Sequence, residues 1–275
     1  MTFGQRLVAA LDSRGTLCVG IDPHPQLLES WGLDVDVDGL ARFADICVRA
    51  FGDYAAAVKP QSAFFEAFGS AGMAVLERTV AACRAAKALV VLDVKRGDIG
   101  STMAAYARAY LDAAAPLAAD AITVSPYLGV GALQPAIEAA EAQGAGLFVL
   151  AATSNKDGRP IQQARSRDGR TVAQLVVDEL ASRNAGASPL GSLGVVVGAT
   201  LPDAEVEFGK LNGPILAPGV GTQGGTSADV RRIFAGSLDA VLPAVSRDVL
   251  RHGPDVPSLR MAVHRYVEEF QFLRR

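Results

Sequence analysis

Eight short apolar runs punctuate the chain, at residues 17–21, 55–58, 89–92, 121–124, 146–150, 193–197, 214–217 and 240–245. They are often β-branched and apolar at consecutive positions, the pattern of parallel strands buried on both faces. Between them lie segments of helical period. Residues 37–51 carry Val37, Leu40, Phe43, Ala44, Cys47, Val48 and Phe51, a stripe spaced i, i+3, i+4, i+7. Residues 73–86, 99–111, 131–142 and 171–182 keep the same period, and 229–234 and the stretch from 249 onward keep it more weakly. Strand and helix alternating in this way predict an α/β fold, a single-domain (β/α)8 TIM barrel over residues 1–275. A doubly wound open sheet is the runner-up. It is weakened because Gly20-Ile-Asp-Pro-His24 follows the first run, where a Gly-x-Gly-x-x-Gly turn would stand.

Composition narrows the setting. Half of the residues are hydrophobic, enough for a large core, and the net charge is -3 with Lys and Arg scattered. That leaves no basic surface for nucleic acid and no acidic tail. Cys18, Cys47 and Cys83 form no CxxC pair and have no His at ligand spacing, so they read as buried thiols in a reducing compartment. No run approaches membrane-span length, and the opening Met-Thr-Phe-Gly-Gln-Arg lacks a signal-peptide layout. The expected location is the cytoplasm, with no membrane partner.

In such a barrel, chemistry gathers where strands end. Asp22, Lys59, Asp93 with Lys95, and Ser246-Arg247 follow runs one, two, three and eight, so their charges converge on one mouth. The densest stretch is run three, where Asp93, Lys95 and Asp98 come in quick succession. Residues two apart in a strand share a face, which places Asp93 and Lys95 together and suggests two carboxylates around one ammonium. The bland alternative is Asp98 as a helix cap, Lys95 snorkelling to solvent and Asp93 paired with Arg96. The loop after run seven, Pro218-Gly-Val-Gly-Thr-Gln-Gly-Gly225, can turn backbone N–H groups toward an anion, and Arg247 offers a planar fork for phosphate oxygens. A phosphorylated small substrate follows from that pair. His24, His252 and His264 are assigned surface roles, and no carboxylate–His cluster has metal spacing. An ammonium flanked by carboxylates is a poor Schiff-base nucleophile, which needs a neutral amine, and a better proton donor to developing negative carbon.

Leu92-Asp-Val-Lys-Arg-Gly-Asp-Ile-Gly100 resembles the Asp-x-Lys-x-x-Asp signature of the orotidine 5′-phosphate decarboxylases. Asp22, Ala57-Val-Lys-Pro60, Thr153-Ser-Asn155, Pro218-Gly-Val-Gly221 and Ser246-Arg247 occur in that family's order, and the whole is similar to its longer bacterial subfamily. The resemblance implies conversion of orotidine 5′-phosphate to UMP and carbon dioxide with no cofactor and no metal. It implies a catalytic array of Lys59, Asp93, Lys95 and Asp98, with Lys95 as proton donor. Asp22 and Lys59 would bind ribose, Ser154 (in preference to Thr153) the pyrimidine edge, and Gln223 and Arg247 the phosphate, with Pro218 also in contact with substrate. It further implies a homodimer with shared active sites, in which Asp98, with Ile99 and Thr102, serves the neighbouring subunit. Residues 156–170, long and rich in Arg, read either as a lid or as a surface insertion.

Two rivals remain. Sugar-phosphate members of the same superfamily, such as 3-keto-gulonate 6-phosphate decarboxylase or hexulose-phosphate synthase, share the signature but bind magnesium through an acidic residue at the end of strand two, where this chain has Lys59. A catalytically silent phosphate-binding barrel would have no need of a lysine set among aspartates.

Overall fold

The computed structural model describes residues 1–201 and 206–274. Its strands are β1 (Cys18–Ile21), β2 (Ala57–Pro60), β3 (Leu89–Arg96), β4 (Ala121–Val124), β5 (Gly146–Ala152), β6 (Leu193–Val197), β7 (Ile215–Pro218) and β8 (Val241–Val245). All pair in parallel, each with its neighbour in sequence, and β8 returns to β1 through Cys18–Ala244 and Val19–Val245. The predicted (β/α)8 barrel is therefore the observed one, and every predicted run is a strand. Two of the boundary shifts bear on the mouth. β2 lies two residues further on, and β3 continues four residues past its apolar run, so Lys59, Asp93 and Lys95 sit within strands and not after them.

The helices are α1 (Phe3–Arg14), α2 (Pro25–Ser30), α3 (Val37–Phe51), α4 (Ser62–Glu66), α5 (Gly69–Ala85) and α6 (Gly100–Leu111). They continue with α7 (Gln134–Gln143), α8 (Arg159–Gln162), α9 (Val172–Arg183), α10 (Ser227–Ile233), α11 (Arg247–Leu250) and α12 (Val256–Glu269). α3 coincides with its predicted span, opened by the Asp36 side chain accepting from the Gly39 N–H at 2.8 Å. Among the described residues no helix links β6 to β7.

Strand side chains alternate between two cores. Val19, Val58, Val90, Leu92 and Ile122 pack outward under the helices, whereas Cys18, Ala57, Leu89, Val91, Ala121, Phe148, Leu216 and Leu242 form the barrel interior. Counting onward by two from the interior set reaches Asp22, Lys59, Gln61, Asp93, Thr123, Pro218 and Ser246. Period two thus carries one interior from apolar at the strand starts to polar at the strand ends.

The apolar end is closed by α1, which the hydrophobic runs do not announce. Phe3, Leu7 and Leu11 enter the interior cluster, and Phe3 meets Phe148 edge-on at 5.9 Å. Thr2 and Gln5 form a capping box, and Arg6 pairs with Asp120, whose other oxygen accepts the Val90 N–H at 2.9 Å. Phe3→Ala removes a fully buried ring at this closed end and is expected to cost about 3–5 kcal/mol of stability by urea denaturation. Because the plug lies opposite the polar mouth, turnover per folded molecule should stay at the wild-type level.

Candidate active site

Asp93 organises the mouth. Its side chain is 9% exposed, and it accepts from Lys59 Nζ at 2.9 Å through Oδ2, and from Lys95 Nζ at 2.6 Å and Thr123 Oγ1 at 2.7 Å through Oδ1. The expected two carboxylates around one ammonium are inverted: two ammonium groups flank one carboxylate. Asp98 does not reach Lys95. It lies beyond the strand end, and its Oδ1 accepts the Ile99 N–H at 2.8 Å. Nor does Arg96 reach Asp93, because it turns outward to Glu66 at 2.7 Å and to the Tyr110 hydroxyl, over the Tyr106 and Tyr110 rings.

The charges sustain one another. Burial alone would raise the Asp93 carboxyl, but the positive charges of Lys59 and Lys95 and their hydrogen bonds outweigh it and hold it well below the usual carboxylate range. Burial alone would lower Lys59, but Asp93 and Asp22 outweigh it and hold the ammonium above its ordinary value. Both groups are charged at neutral pH, inside a wall that excludes most water.

This wall belongs to a cavity of about 330 Å³, lined by Asp22, Lys59, Asp93, Pro218, Gln223 and Arg247 among the residues expected from sequence. Lys95 is half exposed and joins it through Asp93. Asp98, Thr102 and Ser154 do not line it, and the latter two are exposed. Ser246, expected at the mouth with Arg247, lines it too, as do Gln61 and His24, which were not expected there. Asp22 Oδ1, Gln61 Oε1 and Ser246 Oγ are buried on this wall with no protein partner, two acceptors and a hydroxyl disposed for a hydroxyl-bearing ligand. Alternation along β2, β4 and β8 was the signal that marked Gln61, Thr123 and Ser246. Gly20 admits Ser246, since a Cβ there would lie 2.5 Å from the Ser246 Cβ.

His24 corrects its surface assignment. It stands between Asp22 and Pro25, where α2 turns the chain back over the mouth, and its ring packs 4.1 Å from Phe64. Burial, opposed by Asp22 and aided by Arg247, lowers its pKa. The glycine-rich loop also differs from expectation. The Gly221, Gly224 and Gly225 N–H groups are committed to turns within the loop, which presents the Thr222 and Gln223 side chains to the cavity beside Arg247. Gly219, Gly221 and Gly224 take positive φ, and a Cβ on Gly221 would lie 2.6 Å from the Tyr266 hydroxyl. That hydroxyl donates to Asp248, which also accepts from Thr222 at 3.4 Å and so moors the loop to α12.

Fold and site together define a barrel enzyme whose mouth centres on buried lysine–aspartate chemistry. A family model described as orotidine 5′-phosphate decarboxylase / HUMPS family matches residues 15–262. The orotidine 5′-phosphate decarboxylase of Salinispora tropica is 62% identical over 268 residues, which is 98% of this chain and 96% of that protein. The crystal structure of a Streptomyces avermitilis protein ascribed the same function has a TM-score of 0.96 at 58% identity, covering 99% of this chain and 95% of that one. Leishmania donovani OMP decarboxylase gives a TM-score of 0.75 at 32% identity, over 100% of this chain and 99% of its own. This chain belongs to the orotidine 5′-phosphate decarboxylase / HUMPS family.

The ion network has a pH signature. A carboxyl depressed on folding stabilises above its unfolded value and loses that contribution as pH falls through the folded one; a lysine raised on folding stabilises below its unfolded value and loses that contribution as pH rises through the folded one. Asp93→Asn leaves Lys59 buried against a neutral amide and should cost about 3–5 kcal/mol near neutrality. In denaturation series its deficit relative to wild type should stay level from about pH 5 to about pH 9 and shrink only below about pH 4 or above about pH 10. A deficit already fading near about pH 6 would contradict the depressed carboxyl.

Proposed function

We propose that the chain carries out its family's decarboxylation of orotidine 5′-phosphate to UMP, the final step of de novo pyrimidine nucleotide synthesis, without a cofactor and with Lys95 as the proton donor. The observation that carries the reading is the Asp93 carboxylate held between Lys59 and Lys95 on a cavity that also contains Gln223 and Arg247. In this scheme Gln223 and Arg247 hold the phosphate, Pro218 lies against the substrate, Asp22 and Lys59 bind the ribose hydroxyls, and Ser154, from outside the cavity wall, meets the pyrimidine edge. The substrate carboxylate then lies beside Asp93. The C6–carboxyl bond breaks, its electron pair stays on C6 opposite the Lys95 ammonium, and carbon dioxide leaves. A Lys95 proton moves to C6, and water returns one to Lys95. A general acid of this kind is worth roughly 10²–10⁴-fold.

Asp98 and Thr102 serve the site of a partner subunit in a homodimer. What supports this is their position: both lie outside their own cavity, beside Ile99, 60% exposed, while Tyr127 and Leu128, 79% and 55% exposed, follow the neighbouring strand β4.

The metal-dependent sugar-phosphate reading has less support, because Lys59, a cation, occupies the β2 position where an acidic ligand would stand and is bonded to Asp93. Loss of orotidine 5′-phosphate absorbance, followed with and without EDTA, separates the two. Turnover indifferent to EDTA is expected; no turnover would sink the proposal, and EDTA-sensitive turnover would favour the metal branch. In the same assay Lys95→Ala should lower kcat by at least about 10²-fold while UMP affinity changes by less than about tenfold. Near-wild-type turnover would refute its role.

For the shared site, inactive Asp98→Ala chains mixed and refolded with inactive Asp22→Ala chains should regain activity, because one site of each mixed dimer then carries neither substitution. Mixed dimers that form yet stay inactive would overturn the shared site.

A further inference from the structure

The backbone that delivers Lys95 is irregular. β3 and β4 are in register at Val91–Ala121 and Leu92–Ile122, but the next pair is Arg96–Val124, so β3 advances four residues while β4 advances two. The slack is taken up at Lys95, whose φ of +44° is a left-handed conformation that costs an L-residue about 1–2 kcal/mol. A β-bulge of this kind re-aims a side chain and leaves strand groups without ladder partners. At Lys95 those partners are side chains of β4 and the residue after it. The Lys95 N–H donates to Thr123 Oγ1 at 3.0 Å, and the Ser125 hydroxyl donates to the Lys95 carbonyl at 3.2 Å.

Thr123 is 1% exposed and its hydroxyl has a fixed sense. Since its oxygen accepts from the Lys95 N–H, its own proton is directed to Asp93 Oδ1 at 2.7 Å, the same oxygen that takes Lys95 Nζ at 2.6 Å. One hydroxyl therefore closes a ring through the Lys95 backbone, Thr123, the Asp93 carboxylate and the Lys95 ammonium. Both ends of the lysine side chain are referred to the same oxygen. The β-branched side chain restricts χ1 and keeps that oxygen in place. Thr123 does not line the cavity, so it meets substrate only through these two residues.

We infer that Thr123 is a positioning residue for the reaction: it holds the β3 bulge and the Asp93 carboxylate together so that the Lys95 ammonium faces the reacting carbon. The inference rests on the proposed role of Lys95 as proton donor. Without the hydroxyl, the Lys95 N–H is orphaned and the carboxylate is freed to turn toward Lys59.

The test compares Thr123→Val, nearly isosteric but without the hydroxyl, with Thr123→Ser, which keeps it, in the full chain with orotidine 5′-phosphate. Thr123→Val should lower kcat about 10²-fold, as expected for displacement of a reacting group by roughly 1 Å, while KM and UMP affinity change by less than about threefold. Thr123→Ser should recover kcat to within about fivefold of wild type. A wild-type kcat in the Val variant, a change confined to KM, or equal losses in Val and Ser would each overturn the inference. Should the Val chain fail to fold, Thr123→Ala against Thr123→Ser makes the same comparison. Lys95→Ala in parallel keeps the two readings apart. If it turns over normally, the donor assignment fails; if it is inactive while Thr123→Val is normal, only the role of Thr123 fails.

Discussion

A buried carboxylate between two ammonium groups is the constraint on which the mouth of this barrel depends. No member of the Lys59–Asp93–Lys95 cluster is cheap to bury alone, since an isolated ion inside a protein costs several kcal/mol. Lys59 and Asp93 are each about one-tenth exposed and hold one another in the charged state, with Asp22 adding to the field on Lys59. Each is therefore the condition for the other's protonation state. The arrangement holds a fixed negative charge within hydrogen-bond reach of two ammonium groups, a preorganised field of the kind electrostatic catalysis uses.

The barrel makes that cluster possible by dividing one interior between two purposes. At the strand starts the inward positions are Cys18, Ala57, Leu89, Val91 and Ala121, sealed by Phe3, Leu7 and Leu11 of α1. One or two steps further along the same faces stand Asp22, Lys59, Asp93 and Thr123. Hydrophobic burial at the closed end keeps the strands rigid, and rigid strands hold the charged side chains in place more tightly than loops do. The α1 plug and the polar mouth are in this sense two ends of a single device.

At the far side of the cavity the demand is for adaptable geometry. The β7 loop reaches its shape through three glycines at positive φ, and it is tied down by its own N–H groups and by Thr222 on Asp248. Its contribution to the cavity wall is then made by the Thr222 and Gln223 side chains next to the Arg247 guanidinium. The cationic end and the lysine–aspartate cluster occupy one continuous cavity, a separation that suits a substrate anchored by one anionic group and altered near another.

Much of this was legible in the order of residues. Strands buried on both faces must be apolar at consecutive positions, so all eight could be found by inspection, and with them the barrel. Asp22, Lys59, Asp93, Pro218, Gln223 and Arg247 were legible because a barrel collects strand ends at one mouth, and the structure brings these six to one cavity. Gln61 and Thr123 obeyed the same alternation but carry no charge to draw attention, and α1 lacks an apolar run. What the tertiary structure alone decided is the pairing within Asp93-Val-Lys-Arg-Gly-Asp98. Period two puts Lys95 on the face of Asp93, but it cannot show that β3 slips against β4, that Lys95 turns left-handed, or that Thr123 from the next strand holds it there. Those depend on hydrogen bonds between strands about thirty residues apart in sequence, and a local pattern of polar and apolar positions contains no record of them.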